Sequence, residues 1–199
     1  PRPPAPQRVL GVLAGIETRL QSSAYRPVLR VDERRGVYEF DCSAMAGWVL
    51  ARAAPKARAA IGQVRPLARD FHRTIAAAAT ARPHRGWLRV ARVADARPGD
   101  VLAWRRPPWF KSRNTGHVAF VVEPPVAVPG GVLVRIADAT SIGHEHDTRG
   151  AGQTGYGRGT LLVTTDAAGS GTGYGWYGAA ALEQGWIIPT EVVIARVVQ

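Results

Sequence analysis

Cysteine, methionine and long apolar runs are nearly absent from this chain of 199 residues. The single cysteine, Cys42, excludes an internal disulfide bond. No run of eighteen apolar residues occurs, so the sequence predicts no membrane-spanning helix. Zinc-finger spacing, RNP-like aromatic strands and a clear helix-turn-helix pattern are also missing, and we therefore expect no specific nucleic-acid partner. With 46% hydrophobic and 21% charged residues, the composition is typical of a globular domain.

Acidic residues are scarce relative to basic ones. The chain has 15 Asp and Glu against 26 Lys and Arg, which gives a net charge of +11. A surface of this charge attracts polyanions such as nucleic acids, teichoic acids and anionic lipid head groups. Charge alone therefore predicts a polyanionic environment and names no particular polymer.

The length predicts one domain with a core of its own. Residues 1–8 form a proline-rich lead-in, and we expect a signal segment or anchor to have been removed ahead of it. The single domain then covers residues 9–199. Within it, apolar spacing and composition predict helices over 9–20, 44–60 and 67–81, with Pro55 as a possible break.

After Arg82 the pattern changes to short apolar runs separated by Gly and Pro turns. We predict strands over 87–90, 101–104, 117–122, 132–138, 160–165 and 192–198. Helices followed by strands predict an α+β domain.

The segment Asp41-Cys42-Ser43 stands where a loop enters a predicted helix. A thiolate is favoured there by the positive end of the helix, and the free N–H groups can hold an oxyanion. We therefore expect Cys42 to be a nucleophile with a lowered pKa. The alternative is a small buried hydrophobe, which is the commoner role of a lone cysteine.

Two strand ends complete the candidate site. His117 begins one predicted strand and Asp138 ends the next, and the turn at 129–131 would make the strands antiparallel neighbours. Asp138 would then orient the imidazole of His117, which acts as the base for Cys42. Thr140 is a weaker candidate for the third residue. His144 and His146 offer two metal ligands without a third, so we predict an exposed polar loop and no metal or other cofactor.

Three segments of the chain resemble motifs of the NlpC/P60 papain-like cysteine peptidases, and they occur in the same order as in that family. Segment 38–43 (YEFDCS) resembles their Asp-Cys-Ser signature, with Cys42 at the nucleophile position. Segment 97–102 (RPGDVL) resembles their Pro-Gly-Asp turn, and 116–121 (GHVAFV) resembles their strand with the catalytic histidine. Ala44 stands where the family usually has glycine, and Asp138 where it often has histidine.

The resemblance implies a papain-like NlpC/P60 fold, in which N-terminal helices, one bearing Cys42, pack on a small antiparallel sheet. It implies a metal-independent thiol hydrolase, a cysteine peptidase or amidase, that cleaves stem peptides of bacterial cell-wall peptidoglycan. The protein would then be periplasmic or secreted, with a cell-wall peptide or glycopeptide as substrate and polyanionic wall polymers as partners. The long separation of Cys42 from His117 implies a helical insertion near 52–93.

The resemblance also implies a tyrosine at the oxyanion hole, for which Tyr25 and Tyr38 are the candidates, beside Ser43. Aromatic residues near basic or Gly-rich loops predict a substrate groove, with Trp109 on one side and Trp176 on the other. Two other functions remain open. One is an acyltransferase on the same framework. The other is a non-catalytic basic module that binds wall polymer or nucleic acid.

Overall fold

The computed structural model describes residues 2–198, so Pro1 of the predicted lead-in and Gln199 at the end of the predicted domain lie outside it. The helices in this range are α1 (Ala5–Arg19), α2 (Cys42–Ala53), α3 (Pro55–Ala60), α4 (Ala68–Ala76) and α5 (Gly178–Gln184). The strands are β1 (Ser22–Tyr25), β2 (Leu29–Asp32), β3 (Val37–Phe40), β4 (Trp87–Val90), β5 (Val101–Arg105), β6 (Gly116–Val121), β7 (Val126–Val128), β8 (Gly131–Thr140), β9 (Gly155–Thr165), β10 (Gly171–Gly175) and β11 (Ile188–Val197).

A closed six-stranded antiparallel barrel dominates the fold. Its strands follow the order β10-β9-β8-β6-β5-β11, and β10 also pairs with β11, which closes the ring. Strand β4 extends the sheet beside β11, and β7 pairs with β8. A separate three-stranded sheet has the order β1-β3-β2.

The predicted papain-like NlpC/P60 fold, with N-terminal helices packed on a small antiparallel sheet, is therefore wrong. The six predicted strands exist, but five more join them, and the barrel rather than the helices forms most of the structure. Strands β9 and β10 explain much of the error. Both contain several glycines, such as GTGYG in β10, and this composition is typical of loops rather than strands.

Successive side chains of a barrel strand point to opposite faces of the sheet, so the strands separate two hydrophobic clusters. In β5, Leu102 and Trp104 point into the barrel, while Val101 and Ala103 belong to the cluster that includes the helices. In β6, Phe120 likewise belongs to the helical cluster. Burial of such side chains contributes about 1.5–3 kcal/mol each. The candidate site lies at the rim where these clusters meet.

The helices differ modestly from prediction. Helix α1 begins at Ala5 rather than Val9, because proline is tolerated in a first helical turn. The predicted break is confirmed, since α3 begins at Pro55. The segment predicted as a helical insertion contains α3, α4 and also strand β4, which pairs with β11. Within residues 2–198, no helix combines the length and apolar character needed to cross a membrane.

Candidate functional site

Cys42 is the first residue of α2, as the loop-to-helix pattern predicts. Asp41 caps this helix, because its Oδ1 accepts hydrogen bonds of 2.8 Å from the Ala44 N–H and the Ser43 hydroxyl. The side chain of Cys42 is buried in the helical cluster with 5% exposure. Backbone N–H groups of Ser43 and Val118 donate towards its sulfur. Ser43 thus contributes a main-chain donor at the thiol, while its hydroxyl serves the cap.

The predicted lowering of the thiol pKa is wrong for the free protein. Burial raises the pKa of Cys42 to about 12, and the charge of Asp41 acts in the same direction. The N–H groups of Val118 and Ser43 lower the pKa without offsetting burial. The resting thiol is therefore neutral at pH 7, and its reaction with a carbonyl requires a base that removes its proton as the sulfur attacks.

Of the two candidate tyrosines, the structure brings Tyr25 to the thiol. Strands β1 and β3 are parallel, and their register places Tyr25 opposite Phe40, close to the start of α2. The Tyr25 hydroxyl lies beside the thiol of Cys42, and burial, followed by the effect of Cys42, raises the pKa of Tyr25. Tyr38 instead lies in the core, fully buried, with its ring centroid 6.2 Å from that of Phe40.

His117 and Asp138 form the second part of the candidate site. Strands β6 and β8 are antiparallel neighbours, and His117 Nε2 lies 2.6 Å from Asp138 Oδ2, so the predicted pairing of these side chains is confirmed. The connection is not the single predicted turn, because β7 intervenes between them. An ionised carboxylate only accepts hydrogen bonds, so Nε2 carries the proton and the lone pair of Nδ1 remains available.

His144 holds the same carboxylate from the other side. Its Nε2 lies 2.8 Å from Asp138 Oδ2, and its Nδ1 lies 3.2 Å from the carbonyl oxygen of Trp176. Both partners are acceptors, so the imidazolium form of His144 satisfies both contacts. The prediction of an exposed polar loop is wrong for His144, which is buried, and holds for His146, which is exposed.

Arg149 completes the surroundings of Asp138. Its guanidinium, 4% exposed, binds Asp138 Oδ1 and also donates to Asp147 Oδ2 at 2.6 Å. Burial raises the pKa of Asp138, but the charge of His144 and hydrogen bonds from His117 and His144 outweigh burial and hold the pKa well below its usual range. Asp138 is therefore an anion with three partners in the described part of the chain.

Alternating glycines in β9 make room for these partners. A Cβ at Gly157 would lie 2.6 Å from Arg149 Nε, and a Cβ at Gly159 would lie 2.4 Å from the Cβ of His144. The strand register places Gly157 opposite Asp138. The segment before β9, which carries His144 and Arg149, therefore packs against the face of β9 that presents Gly157 and Gly159. Sequence reasoning missed Arg149 as a site residue. Glycines two residues apart were the available signal, because in a strand they share one face.

The same three side chains are the residues that could hold a metal ion. Ligand atoms of His117, Asp138 and His144 lie within 4.8 Å of one another. However, both imidazoles meet one carboxylate oxygen at hydrogen-bond distance, and the guanidinium of Arg149 places a positive charge on that carboxylate. A metal-bound histidine must also direct a lone pair at the ion. The geometry therefore favours a hydrogen-bonded network.

A cleft of about 240 Å³ opens beside His117, and we call it the aromatic cavity. Trp176 lines it, with its ring centroid 5.1 Å from that of His117. Trp104 and Tyr174 stack with centroids 4.1 Å apart. Trp109, the other predicted groove residue, is 60% exposed and does not line this cavity. The remaining lining residues are Tyr25, Arg106, Phe110, Asn114, Gly116, Thr140, Ser141, Ile142, Tyr177 and Ile188.

The cations of the basic loop before His117 differ in their surroundings. Arg106 donates to loop carbonyls, including that of Asn114 at 2.9 Å. Arg105 lines a different cavity beside α4, because successive strand residues point to opposite faces. Lys111 and Arg113 remain exposed.

Neither the family models nor the curated proteins compared with this chain match it.

Proposed function

We propose that the protein is a cysteine hydrolase that cleaves an amide bond, with Cys42 as nucleophile and His117 as base. The observation that carries this proposal is the hydrogen bond of 2.6 Å between His117 Nε2 and a buried Asp138 carboxylate. This hydrogen bond leaves Nδ1 of His117 available as a proton acceptor. The next residue in the chain is Val118, whose N–H donates towards the thiol of Cys42. A lone buried cysteine without a function does not require such a network.

The reaction begins with a neutral thiol. As the sulfur of Cys42 bonds to the carbonyl carbon, His117 Nδ1 accepts the thiol proton and Asp138 stabilises the imidazolium. The Tyr25 hydroxyl and the N–H groups at the start of α2 stabilise the oxyanion. His117 then gives the proton to the amine, the C–N bond breaks and a thioester remains. Water, deprotonated by His117, attacks the thioester and releases the acid and the thiol.

The substrate class follows from the motifs rather than from the barrel. Because three segments resemble those of NlpC/P60 enzymes, we propose that the amide belongs to a peptidoglycan stem peptide and that the protein acts outside the cytoplasm. No metal or other cofactor takes part in the proposed steps. The net charge of +11 supports a substrate embedded in an anionic polymer.

Hydrolysis of purified peptidoglycan tests this proposal. Muropeptides incubated with the protein should gain free amino groups, measured by chromatography and mass spectrometry. The Cys42→Ala protein, with an unchanged melting temperature, should release none. An added amine nucleophile distinguishes the acyltransferase, because a transferase would give the new amide in preference to the acid. Binding to sacculi without release of amine by the unmodified protein would favour the non-catalytic module.

A further inference from the structure

Four large aliphatic side chains are exposed on two neighbouring loops outside the candidate site. They are Val28, Leu29, Val64 and Leu67, with 39, 51, 94 and 36% exposure. The loops meet, because Arg65 in one donates a hydrogen bond of 3.3 Å to the carbonyl of Pro27 in the other. Exposed apolar groups gathered in this way mark a surface that another molecule covers.

Arginines stand among these apolar groups. Arg52, Arg58 and Arg65 line a cavity of about 290 Å³ together with Leu29, Val64 and Leu67. Among residues 2–198, neither Arg58 nor Arg65 has a carboxylate within ion-pair distance, whereas Arg52 lies 3.6 Å from a carboxylate oxygen of Glu33. We call residues 26–30 and 62–67, with Arg52 and Arg58, the basic apolar surface.

The arginines differ in how many donors they have left. Arg58 is half-buried and uses both terminal nitrogens on carbonyl groups of the following loop, at 3.0 and 2.8 Å. Arg30 lies 3.3 Å from a carboxylate oxygen of Glu39. Arg65 is exposed, and within residues 2–198 it donates from Nη2 alone, so its Nε and Nη1 are available to an anion.

The basic apolar surface lies on the side of α2 opposite Cys42. Residues of α2 that line its cavity include Ala44, Gly47, Trp48 and Ala51. At 3.6 residues per turn, these positions centre about half a turn around the helix axis from Cys42. No residue lines both this cavity and the aromatic cavity. A partner of the basic apolar surface therefore does not occupy the candidate site.

A phospholipid offers both contacts that this surface requires, because its phosphate adjoins acyl chains. Guanidinium groups bind phosphate oxygens in a forked geometry, and aliphatic side chains at loop tips can enter the layer beneath the head groups. A free phosphate would leave Leu29 and Val64 in water. The net charge of +11 also attracts the protein to an anionic bilayer. We propose that the basic apolar surface attaches the protein to bilayers that contain anionic phospholipids.

Vesicle sedimentation with the full chain tests this proposal. Mixed vesicles of phosphatidylglycerol and phosphatidylcholine should bind the protein at least about tenfold more tightly than vesicles of phosphatidylcholine alone. High salt should weaken binding, because it shortens the Debye length. Inorganic phosphate at equal phosphate concentration and ionic strength should not compete. Equal binding to both vesicles, binding to neither, or displacement by phosphate alone would overturn the proposal.

Matched variants distinguish this surface from the net charge of the protein. Arg65→Ser should weaken binding to the mixed vesicles about fivefold, whereas Arg82→Ser, which removes another exposed arginine, should change it less than twofold. Val64→Asp should weaken binding about tenfold, because a carboxylate no longer enters the apolar layer. Val126→Asp, at a side chain with 60% exposure, is its control. Equal losses in variants and controls would contradict the assigned surface.

Hydrogen exchange locates the contact without any substitution. Mixed vesicles should slow amide exchange at residues 62–65 and leave it unchanged at 107–113 and 185–187, where Trp109 and Trp186 are exposed. Protection of those aromatic segments in place of residues 62–65 would overturn the proposal. None of these measurements requires turnover, so their outcome is independent of the proposed role of Cys42 as nucleophile.

Discussion

The two sides of the candidate site are built differently. On the barrel side, Asp138 is buried and held by His117, His144 and Arg149 at once. On the helix side, Cys42 is also buried, but the groups that donate towards its sulfur are neutral main-chain N–H groups of Ser43 and Val118. The first environment stabilises a charge, and the second disfavours one.

In the proposed mechanism, this difference assigns the activation step to His117 as the base. The carboxylate of Asp138 is ionised before substrate arrives, and it fixes which nitrogen of His117 carries the proton. The thiol of Cys42 is neutral until a carbonyl is in place. If Cys42 is the nucleophile that we propose, preorganised charge on one side compensates for its apolar surroundings on the other.

Removing one group from each side should have the largest effect on turnover. Cys42→Ala should lower turnover by at least about 10⁴-fold, because the proposed thioester can no longer form. Asp138→Asn should lower turnover by about 10²-fold, because His117 loses its orienting anion but keeps its ring. Initial rates on one substrate check both changes. A fully active Asp138→Asn protein would move the third residue elsewhere, with His144 next to test.

The protonation state of the thiol gives a second test. With the pKa of Cys42 raised to about 12, alkylation by iodoacetamide between pH 7 and 9 should be about a thousandfold slower than in the unfolded chain. The rate should keep rising above the ordinary thiol pKa of about 8.5. Mass spectrometry of timed samples gives the rates. A plateau reached below pH 8.5 would show a thiolate in the resting protein.

Glycine substitutions in β9 disturb the barrel side without touching Asp138 itself. Gly159→Ala should displace His144, and Gly157→Ala should displace Arg149, since each added Cβ would meet those side chains under 3.0 Å. We expect turnover to fall about tenfold and stability to fall by about 1–3 kcal/mol. The low-field proton NMR signal of the His117–Asp138 hydrogen bond should shift as well.

Gly143→Ala is the matched control for these substitutions, because its added Cβ meets its nearest neighbours at an ordinary 3.7 Å. Loss of stability in Gly159→Ala with an unchanged NMR signal and rate would show that His144 is structural only.

Acid stability gives the smallest expected effect. Since the pKa of Asp138 is lowered in the folded state, the unfolded chain binds more protons below about pH 3.9. Its contribution to stability is therefore complete above that value and is lost as the pH falls. Asp138→Asn should flatten the fall in melting temperature between about pH 5 and 2. An identical slope in both proteins would contradict an ionised Asp138.

The sequence predicted the local features better than the architecture. The entry of a loop into a helix at Cys42 and the pairing of His117 with Asp138 depend on short spans and strand neighbours, and both are present. The barrel was not predictable in this way. Its closure depends on contacts between β10 and β11 and on glycine-rich strands that lack the usual strand composition.

Two partners of Asp138, His144 and Arg149, also could not be predicted from local sequence patterns. His144 and Arg149 lie in an irregular segment, and their arrival at Asp138 depends on the space left by Gly157 and Gly159 in another strand. The pKa of Cys42 was predicted in the wrong direction for a related reason. A helix start indicates favourable N–H groups, but tertiary packing decides how much water reaches the sulfur.

The most direct test of the central claim is whether the acyl group passes through Cys42. Rapid acid quench during turnover, followed by peptide mass spectrometry, should find a thioester of the acyl half on the peptide containing Cys42. His117→Ala should abolish this adduct, and Asp138→Asn should slow its formation. Turnover that continues in Cys42→Ala, with no adduct on the unmodified protein, would contradict the assignment of Cys42 as nucleophile.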